Sequence, residues 1–306
     1  MVANDIILLD GGMGRELERM GAPFRQPEWS ALALMEDPES VYQAHINFIE
    51  AGARIITTNA YAVIPYHIGE ERFRQDGPAL IKLSARLARR AAEEKDGLGV
   101  KVAGCIPPLF GSYMPELFDQ QSAEQILMPL IEEQAAFIDF WLLETVSSIE
   151  EARYVSNMIR QYSDKPLWIA FTITGEADGH TIGTLRSGEP IDEALKSVIK
   201  GGAPPQAILY NCCQPEEISP ALKLTGKTLG NLKASNIPYG GYANSFVKTK
   251  RRILPSNKRL NELREEMTPK RYLSFAKTWR KEGASIIGGC CGIGPEHIAA
   301  LKSGLK

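Results

Sequence analysis

Eight short apolar runs alternate with helix-like segments along this 306-residue chain, and this alternation constrains the fold more than any other feature. Most of the runs are continuously apolar, which is typical of parallel strands that helices cover on both faces. The seventh is the weakest candidate, because a proline and two glycines interrupt it. The eight predicted strands are Ile6–Asp10, Arg54–Thr58, Val100–Cys105, Ile138–Glu144, Pro166–Thr172, Gln206–Asn211, Ile237–Asn244 and Ala284–Gly289.

The segments between the runs carry helix start and stop signals. Aspartate or threonine followed by proline marks two helix starts, and a serine with glutamine or glutamate three residues later marks two more. A glycine–alanine step just before a strand marks the end of three helices. The starts are Asp37-Pro38, Thr268-Pro269, Ser122-x-x-Gln125 and Ser148-x-x-Glu151, and the ends are Gly52-Ala53, Gly202-Ala203 and Gly283-Ala284.

Strands and helices in this order predict a single (β/α)8 TIM barrel, with residues 1–306 as one domain. Barrels of this length routinely form one domain, and no linker rich in proline, glycine and serine divides the chain. The alternative is an open doubly wound sheet. Its dinucleotide-binding fingerprint is absent, because the glycines of residues 11–14 (Gly-Gly-Met-Gly) are too closely spaced.

The charge and composition exclude several classes of function. With a net charge of −2 and a pI near 6.2, the chain offers no basic surface for nucleic acid. It has no run of about 20 apolar residues for a membrane span, and its first residues do not resemble a secretory leader. Five cysteines, an odd number with two vicinal pairs, fit a reducing compartment better than a disulfide framework. We therefore predict a cytoplasmic protein.

Polar or thiol side chains stand where each apolar run stops. In a barrel, the carboxyl ends of the strands meet at one mouth, where the chemistry of such enzymes is located. We therefore expect these side chains to converge on one site. They are Asp10, Thr58-Asn59, Cys105, Glu144, Thr172, Asn211-Cys212, Asn244 and Cys290-Cys291.

Three cysteines predict a catalytic metal site. Cys290 and Cys291 lie between glycines, whose backbone freedom lets two adjacent side chains reach one ion. Cys212 follows the sixth strand and can face this pair across the mouth. Zinc prefers such thiolate ligands, and three of them leave a fourth position open for catalysis. Cys105 and Cys213 are expected to be buried residues without a ligand role.

A zinc ion with three thiolates has a net charge of about −1, which suits a fourth thiolate better than the activation of water. A free thiol is only about 3% ionised at pH 7, whereas a coordinating thiol is fully deprotonated. The predicted centre would therefore convert a thiol substrate into a sulfur nucleophile. A soft electrophile, such as the methyl carbon of a sulfonium, is a fitting partner for this nucleophile.

Two carboxylates, Asp10 and Glu144, are expected at the same mouth. Such a pair could act as acid and base in glycoside hydrolysis, and Asp10 could instead stabilise its own turn. Beside a thiolate–zinc site, we favour a salt-bridged anchor for the ammonium group of a substrate. Backbone amides of the first loop, at Gly11 and Gly12, could hold the substrate carboxylate.

In these motifs the chain resembles the homocysteine S-methyltransferase family over nearly its whole length. The last motif, joined to the asparagine–cysteine step far upstream, is the most specific of the set. The motifs that carry the resemblance are Leu9-Asp10-Gly11-Gly12, Thr58-Asn59, Leu143-Glu144-Thr145, Asn211-Cys212 and Gly288-Gly289-Cys290-Cys291-Gly292.

The resemblance implies a zinc-dependent barrel that transfers a methyl group to homocysteine and yields methionine. It implies that Cys212, Cys290 and Cys291 bind zinc. It also implies that Glu144, helped by Asp10, holds the homocysteine amino group. Further candidates for substrate binding at the mouth are Thr58, Asn59, Asn211 and Asn244.

The methyl donor is the least determined part of this prediction. Many family members have Gly-Ser-x-Gly-Pro after the third strand, where this chain has Gly104-Cys105-Ile106-Pro107-Pro108, and Ala243 rather than proline precedes Asn244. These loops face the incoming donor. One barrel leaves no room for a cobalamin or folate module, so S-methylmethionine or S-adenosylmethionine is the expected donor, with betaine as an alternative. Tyr61, Tyr66 and Tyr113 could face a sulfonium or pack in the core.

Three other functions are compatible with these residues. The glycines at 288 and 289 could form the phosphate-binding loop of an ordinary TIM-barrel enzyme. The zinc could be structural, with Cys213 as a fourth ligand, or the cysteines could act in thiol redox chemistry. The segment Val247–Met267, basic and then acidic, could be a surface excursion or a lid over the mouth.

Overall fold

The computed structural model of the protein describes residues 6–174, 183–201, 204–247 and 261–305. The strands in these ranges are β1 (Ile7–Leu8), β2 (Ile55–Thr57), β3 (Lys101–Ile106), β4 (Phe140–Val146), β5 (Leu167–Phe171), β6 (Ile173–Thr174), β7 (Thr184–Leu185), β8 (Ala207–Asn211), β9 (Tyr239–Tyr242) and β10 (Ile286–Ile287). The helices are α1 (Met13–Arg19), α2 (Ala31–Glu36), α3 (Pro38–Ala51), α4 (Pro65–Ile68), α5 (Glu70–Glu94), α6 (Gln120–Gln134), α7 (Ile149–Tyr162), α8 (Ile191–Lys200), α9 (Pro215–Asn231), α10 (Pro269–Lys281) and α11 (Pro295–Gly304). None of these helices is long and apolar enough to cross a membrane.

Eight of the strands form one parallel sheet that closes into a barrel. Their order is β1-β10-β9-β8-β5-β4-β3-β2, and a parallel bridge between Leu9 and Ile55 joins the two ends of the sheet. The helices pack around the outside. The predicted (β/α)8 barrel is thus confirmed, and each barrel strand overlaps one of the eight predicted segments. That residues 1–306 form a single domain stays a prediction.

The alternation of side chains along each strand divides the core into two layers. The inner core layer fills the barrel and includes Leu9, Ile55, Phe140 and Leu142. The neighbours of these residues along the strands point outward and pack against the helices, where they form the outer core layer. Because successive side chains of a strand point to opposite faces, Glu144 shares the inner face of β4 with Phe140 and Leu142. The sequence of β4 therefore directs this carboxyl group into the barrel mouth.

Three of the four predicted helix starts are confirmed. Asp37 and Thr268 accept hydrogen bonds from first-turn amides of α3 and α10, each with proline at the first helical position. Ser148 accepts a hydrogen bond from the amide of Glu151 at the start of α7. The carboxylate of Glu151 accepts from the amide of Ser147 rather than from that of Ser148, so the reciprocal half of the predicted capping box is shifted by one residue.

The fourth predicted start is wrong. Helix α6 begins at Gln120, because Asp119 accepts hydrogen bonds from the amides of Gln121 and Ser122. A carboxylate upstream provides more acceptor capacity than the serine hydroxyl, so the helix begins earlier. At the helix ends, Gly52 and Gly283 have φ values of 128° and 98°, as a glycine stop requires. The third predicted stop, Gly202-Ala203, lies outside the described residues.

Two features lie outside the barrel strands and helices: a strand pair that was not predicted and a segment that is described only in part. An antiparallel pair, β6 with β7, follows β5 and was not predicted, because two-residue strands are too short to show a periodic pattern. The segment Val247–Met267 is described only at its ends, where Leu263 forms an antiparallel bridge with Phe246, the residue just before the segment. Residues 248–260 lie outside the described residues, so a lid role for this segment stays a prediction.

Gly240 weakens the strand pattern of the seventh predicted strand, but the close approach of β10 requires a glycine at this position. A Cβ on this residue would lie 1.7 Å from the carbonyl oxygen of Ile286 on the neighbouring strand. We expect Gly240→Ala to lower the free energy of unfolding by about 3 kcal/mol, since the backbone of β10 would have to shift. Gly230→Ala is the control, because a Cβ at this position would meet no atom within 4 Å. This substitution should stabilise α9 slightly, since alanine favours a helix more than glycine does. Equal effects in denaturant unfolding would contradict this explanation.

Candidate metal centre

The loops at the carboxyl ends of the barrel strands enclose a cavity, which we call the mouth cavity. Most of the predicted site residues line it, together with several that were not predicted. Asn211 and Asn244 are buried beside it without lining it. The predicted residues in the lining are Asp10, Gly11, Gly12, Thr58, Asn59, Glu144, Cys212, Cys290 and Cys291, and the additional ones include Arg15, Trp29, Tyr242 and Phe246.

Three sulfur atoms meet at the wall of this cavity. The Sγ atoms of Cys212, Cys290 and Cys291 lie within 4.8 Å of one another, and those of Cys212 and Cys291 are 3.9 Å apart. Sulfur ligands about 2.3 Å from a tetrahedral zinc ion lie about 3.8 Å from one another. The three residues could therefore hold a metal ion. In the described parts of the chain, no other group of three histidine, cysteine or acidic residues comes together in this way.

The backbone at these cysteines has an unusual geometry. Cys212 has a φ of 50°, a left-handed conformation that residues with a Cβ rarely adopt. The turn after β8 places Cys212 at the cavity, whereas Cys213 is buried in the core between sheet and helices. In the first loop, which follows β1, a Cβ on Gly12 would lie 2.6 Å from the carbonyl oxygen of Cys290. Glycine there lets the first loop pack directly against the cysteine pair.

Two side chains donate toward the sulfur of Cys212. The hydroxyl of Tyr113 lies 2.7 Å from this Sγ atom, and the amide nitrogen Nδ2 of Asn244 lies 4.0 Å from it. The side-chain oxygen of Asn244 accepts a hydrogen bond from the amide of Phe246. Asn244 therefore lies beside a cysteine of the proposed centre, and its predicted role in binding substrate stays a prediction.

Glu144 is a buried carboxyl group that two neighbours hold in place. The thiol of Cys105 donates to Oε1 and the hydroxyl of Tyr242 donates to Oε2, each at 3.1 Å. Burial raises the pKa of Glu144 from 4.5 to about 7, against the opposing effect of these two hydrogen bonds. A carboxyl group in this state gains its charge readily when a cation approaches.

Asp10 follows β1 and lines the same cavity as Glu144. Its Oδ2 atom accepts a hydrogen bond from the amide of Thr57 at 2.7 Å. The pKa of Asp10 is raised from 3.8 to about 8, mainly by burial and in addition by the charge of Glu144, against the lowering effect of the Thr57 hydrogen bond. Two buried acids facing one cavity repel each other when both are charged. A substrate cation between them would relieve this repulsion.

The raised pKa of Asp10 predicts a pH-dependent stability. Between its unfolded pKa of 3.8 and its folded pKa of about 8, the folded protein binds the proton more tightly. The stabilisation is therefore complete below about pH 4 and is lost as the pH rises toward 8. Asp10→Asn keeps an acceptor for Thr57 but cannot ionise. We expect the melting temperature of Asp10→Asn, relative to wild type, to increase between pH 5 and pH 8.5.

Thermal unfolding of both proteins without substrate checks this expectation. Glu144 is present in both proteins, so the comparison removes the effect of its own burial and leaves the titration of Asp10 together with its repulsion from Glu144. A difference in melting temperature that stays constant over this pH range would show that Asp10 is not buried as an acid.

Thr58 and Asn59 use their side chains within the protein as well as lining the cavity. The hydroxyl of Thr58 donates to Gln134 Oε1 at 2.5 Å and accepts from the amide of Cys105 at 2.9 Å. Asn59 donates to the carbonyl oxygen of Ser30 at 3.0 Å. These contacts tie the loop after β2 to its neighbours. Direct contact of the two residues with substrate stays a prediction.

Asn211 holds the last residues of β4, directly after Glu144. Its side-chain oxygen accepts from the amide of Thr145, and its Nδ2 atom donates to the hydroxyl of the same residue, each at 2.9 Å. Thr145 has a φ of 60°, a conformation that needs such support. Asn211 therefore stabilises the end of β4, and its predicted contact with substrate stays a prediction.

The glycines of the first loop serve close packing. A Cβ on Gly11 would lie 2.2 Å from the carbonyl oxygen of Ile293, and the amide of Gly12 donates to that same oxygen at 2.9 Å. The amide of Gly12 is thus engaged within the protein. Both glycines thus join the first loop to the cysteine loop, and their predicted role in holding a carboxylate stays a prediction.

Tyr242 and Arg15 are site residues that the sequence interpretation missed. Tyr242 lies in the strand judged weakest, although it shares the face of Asn244 at a spacing of two residues. Arg15 lies in the first turn of α1 and donates to Glu18 and to the carbonyl oxygen of Asn261. Nothing local in the sequence distinguishes this arginine from an ordinary surface cation.

Comparison with known proteins finds relatives that match nearly the whole chain. A family model described as homocysteine S-methyltransferase matches residues 7–305. Homocysteine S-methyltransferase 1 from Brassica oleracea var. italica is 27% identical, with 98% of this chain and 93% of the relative covered. Homocysteine S-methyltransferase from Escherichia coli (strain K12) is also 27% identical, with 98% and 95% covered.

A solved structure shows the same architecture. The homocysteine methyltransferase MmuM from Escherichia coli, in its metallated form, matches this chain with a TM-score of 0.77 at 25% identity. The match covers 98% of this chain and 96% of that one. That protein was solved with a metal, and the three cysteines described above could hold one here.

Proposed function

Because the chain belongs to the homocysteine S-methyltransferase family, we propose that it transfers a methyl group from a sulfonium donor to the thiol of homocysteine, giving methionine. One observation carries this proposal. Three cysteine sulfurs within 4.8 Å of one another share a cavity with the buried carboxyl groups of Asp10 and Glu144. Sulfur ligands suit a thiol substrate, and the two carboxyl groups suit its ammonium group.

We propose Zn²⁺ as the metal of this centre, with Cys212, Cys290 and Cys291 as its protein ligands. Zinc prefers thiolates, and catalytic sites use three protein ligands and an open fourth position. When bound, the ion would supply the deprotonation of the substrate thiol, because a coordinating thiol loses its proton. The half-buried positions of Cys290 and Cys291 in the cavity wall support access by a substrate.

Glu144 and Asp10 would bind the ammonium group of homocysteine. Their pKa values of about 7 and about 8 mean that both are partly protonated near neutrality when the cavity holds no cation. An ammonium group between them would favour the charged forms and lower both pKa values. The hydrogen bonds from Cys105 and Tyr242 would keep Glu144 in one orientation during this binding.

The methyl donor would be a sulfonium, either S-methylmethionine or S-adenosylmethionine. In the transfer, a bond forms between the homocysteine sulfur and the methyl carbon while the bond from that carbon to the sulfonium sulfur breaks. The donor leaves as a neutral thioether. Tyr61, Tyr113 and Phe246 line the cavity, and aromatic faces of this kind attract a cation.

Incubating the zinc-loaded protein with ¹³C-labelled homocysteine and each candidate donor tests this function. The label separates methionine made from homocysteine from the methionine that S-methylmethionine releases as the demethylated donor. We expect labelled methionine with at least one sulfonium donor and less or none with betaine. Production of labelled methionine from betaine alone would overturn the choice of donor, and none from any donor would overturn the proposed function.

We also propose that the protein works in the cytoplasm. All five cysteines are free thiols in the structure, and a reducing compartment protects the thiols of such a centre from oxidation.

A further inference from the structure

A tyrosine hydroxyl contacts one sulfur of the proposed metal centre. The hydroxyl of Tyr113 lies 2.7 Å from Sγ of Cys212 and 3.3 Å from the carbonyl oxygen of the same residue. Tyr113 belongs to the loop after β3 and Cys212 follows β8, so the contact spans the mouth. Beside a thiolate, which has no proton to give, the hydroxyl can only donate.

Both partners of this contact have a strained backbone. Tyr113 has a φ of 67° and Cys212 a φ of 50°. Residues other than glycine adopt this region at a cost of order 1–3 kcal/mol, and they keep it only where their surroundings enforce it, often at functional sites. Two such residues in direct contact indicate that the fold maintains the hydroxyl–sulfur contact against the preference of both backbones.

Neighbouring side chains hold Tyr113 in this position. The hydroxyl of Ser112, the preceding residue, lies 2.7 Å from the hydroxyl of Tyr61 in the loop after β2. The guanidinium carbon of Arg186, which follows β7, lies 4.9 Å from the centre of the Tyr113 ring. The loop after β2 therefore holds the residue that precedes Tyr113, and the segment after β7 covers the tyrosine ring.

We propose that Tyr113 is a positioning residue of the metal centre, whose hydroxyl orients the Cys212 thiolate and withdraws part of its negative charge. This inference rests on the proposed zinc site. Groups that hydrogen-bond to metal ligands orient those ligands and tune the metal, and losing one typically reduces metal affinity or activity by about 10- to 100-fold. At a centre with three thiolates, a donor on one sulfur also offsets part of the excess negative charge.

The variant Tyr113→Phe removes the hydroxyl and keeps the ring beside Arg186. We expect its affinity for Zn²⁺, measured by competition with a chromophoric chelator, to fall by about tenfold or more. We also expect the sulfur-to-metal absorption bands of the Co²⁺-loaded variant to shift, because one sulfur has lost its hydrogen bond. A merely structural role would not move these bands.

Tyr210→Phe is the matched control. Tyr210 is a fully buried tyrosine whose hydroxyl contacts Thr225, and it packs in the outer core layer. Its replacement also removes a buried hydroxyl contact. We expect Tyr210→Phe to lose about as much thermal stability as Tyr113→Phe, but to keep the Zn²⁺ affinity and the Co²⁺ spectrum of wild type.

The outcomes separate this inference from the proposed function. If wild type binds Zn²⁺ and methylates homocysteine, but Tyr113→Phe matches it in affinity and in spectrum, the role of Tyr113 is wrong and the function stands. Equal losses of affinity in Tyr113→Phe and Tyr210→Phe would also overturn the role of Tyr113. A wild-type protein that binds neither Zn²⁺ nor Co²⁺ would overturn both proposals.

Discussion

Replacing Cys290 with alanine is expected to lower methyl transfer by about a thousandfold or more and to release most of the bound zinc. Losing a group that only hydrogen-bonds to a metal ligand already reduces metal affinity or activity by about 10- to 100-fold. This change removes one of the three proposed protein ligands themselves. Its sulfur lies within 4.8 Å of those of Cys212 and Cys291, so replacing either of these should have the same effect. Steady-state kinetics and the zinc content of the purified protein are the measurements.

Cys213→Ala is the matched control for this prediction. Cys213 is the direct neighbour of Cys212, but its side chain is buried in the outer core layer and lies outside the group of three sulfurs. We expect it to keep its zinc and its activity and to lose only about 1 kcal/mol of stability from the packing change. Normal turnover by a metal-free Cys290→Ala protein would rule out the proposed mechanism.

Glu144→Gln is expected to lower kcat/KM for homocysteine by about a hundredfold or more while the zinc content stays normal. Removing one partner of a buried charge pair typically costs about 2–5 kcal/mol, and glutamine keeps the size of the side chain. Much of the loss should be in KM, because the ammonium group is bound before and during methyl transfer. Initial rates over a range of homocysteine concentrations give both constants.

A substrate without the amino group sharpens this test. 4-Mercaptobutyrate keeps the thiol and the carboxylate of homocysteine, so wild type and Glu144→Gln should methylate it at similar rates. Glu151→Gln is the control variant, because burial also raises the pKa of Glu151 to about 7, but this residue does not line the mouth cavity. Equal losses for the two substrates in Glu144→Gln would show that Glu144 does not bind the ammonium group.

Cys105 shows where reasoning from sequence stopped. We expected a buried cysteine without a ligand role, and the residue is indeed fully buried. Its thiol nevertheless donates to Glu144 on the next strand. That contact depends on the register between β3 and β4, in which Cys105 pairs with Leu142. No pattern within either strand specifies which residues of the two will be adjacent.

The sequence alone determined the fold class and the residues at the strand ends of this protein. Strand periodicity, helix caps and glycine stops are local signals, because each arises from the chemistry of a few neighbouring residues. Such a signal can also mislead about where a helix starts. The pattern at Ser122 predicted a helix start there, but Asp119 upstream caps the helix.

Only the tertiary structure decided which strand-end residues act together and which support them. It placed the sulfurs of Cys212 and Cys291 3.9 Å apart, turned Asn211 toward Thr145 and brought the hydroxyl of Tyr113 to a sulfur. Each of these contacts joins residues far apart in the chain, so its distance depends on how the whole barrel closes and packs. Neighbouring residues in a sequence carry no record of such distances, because packing of the complete core sets them.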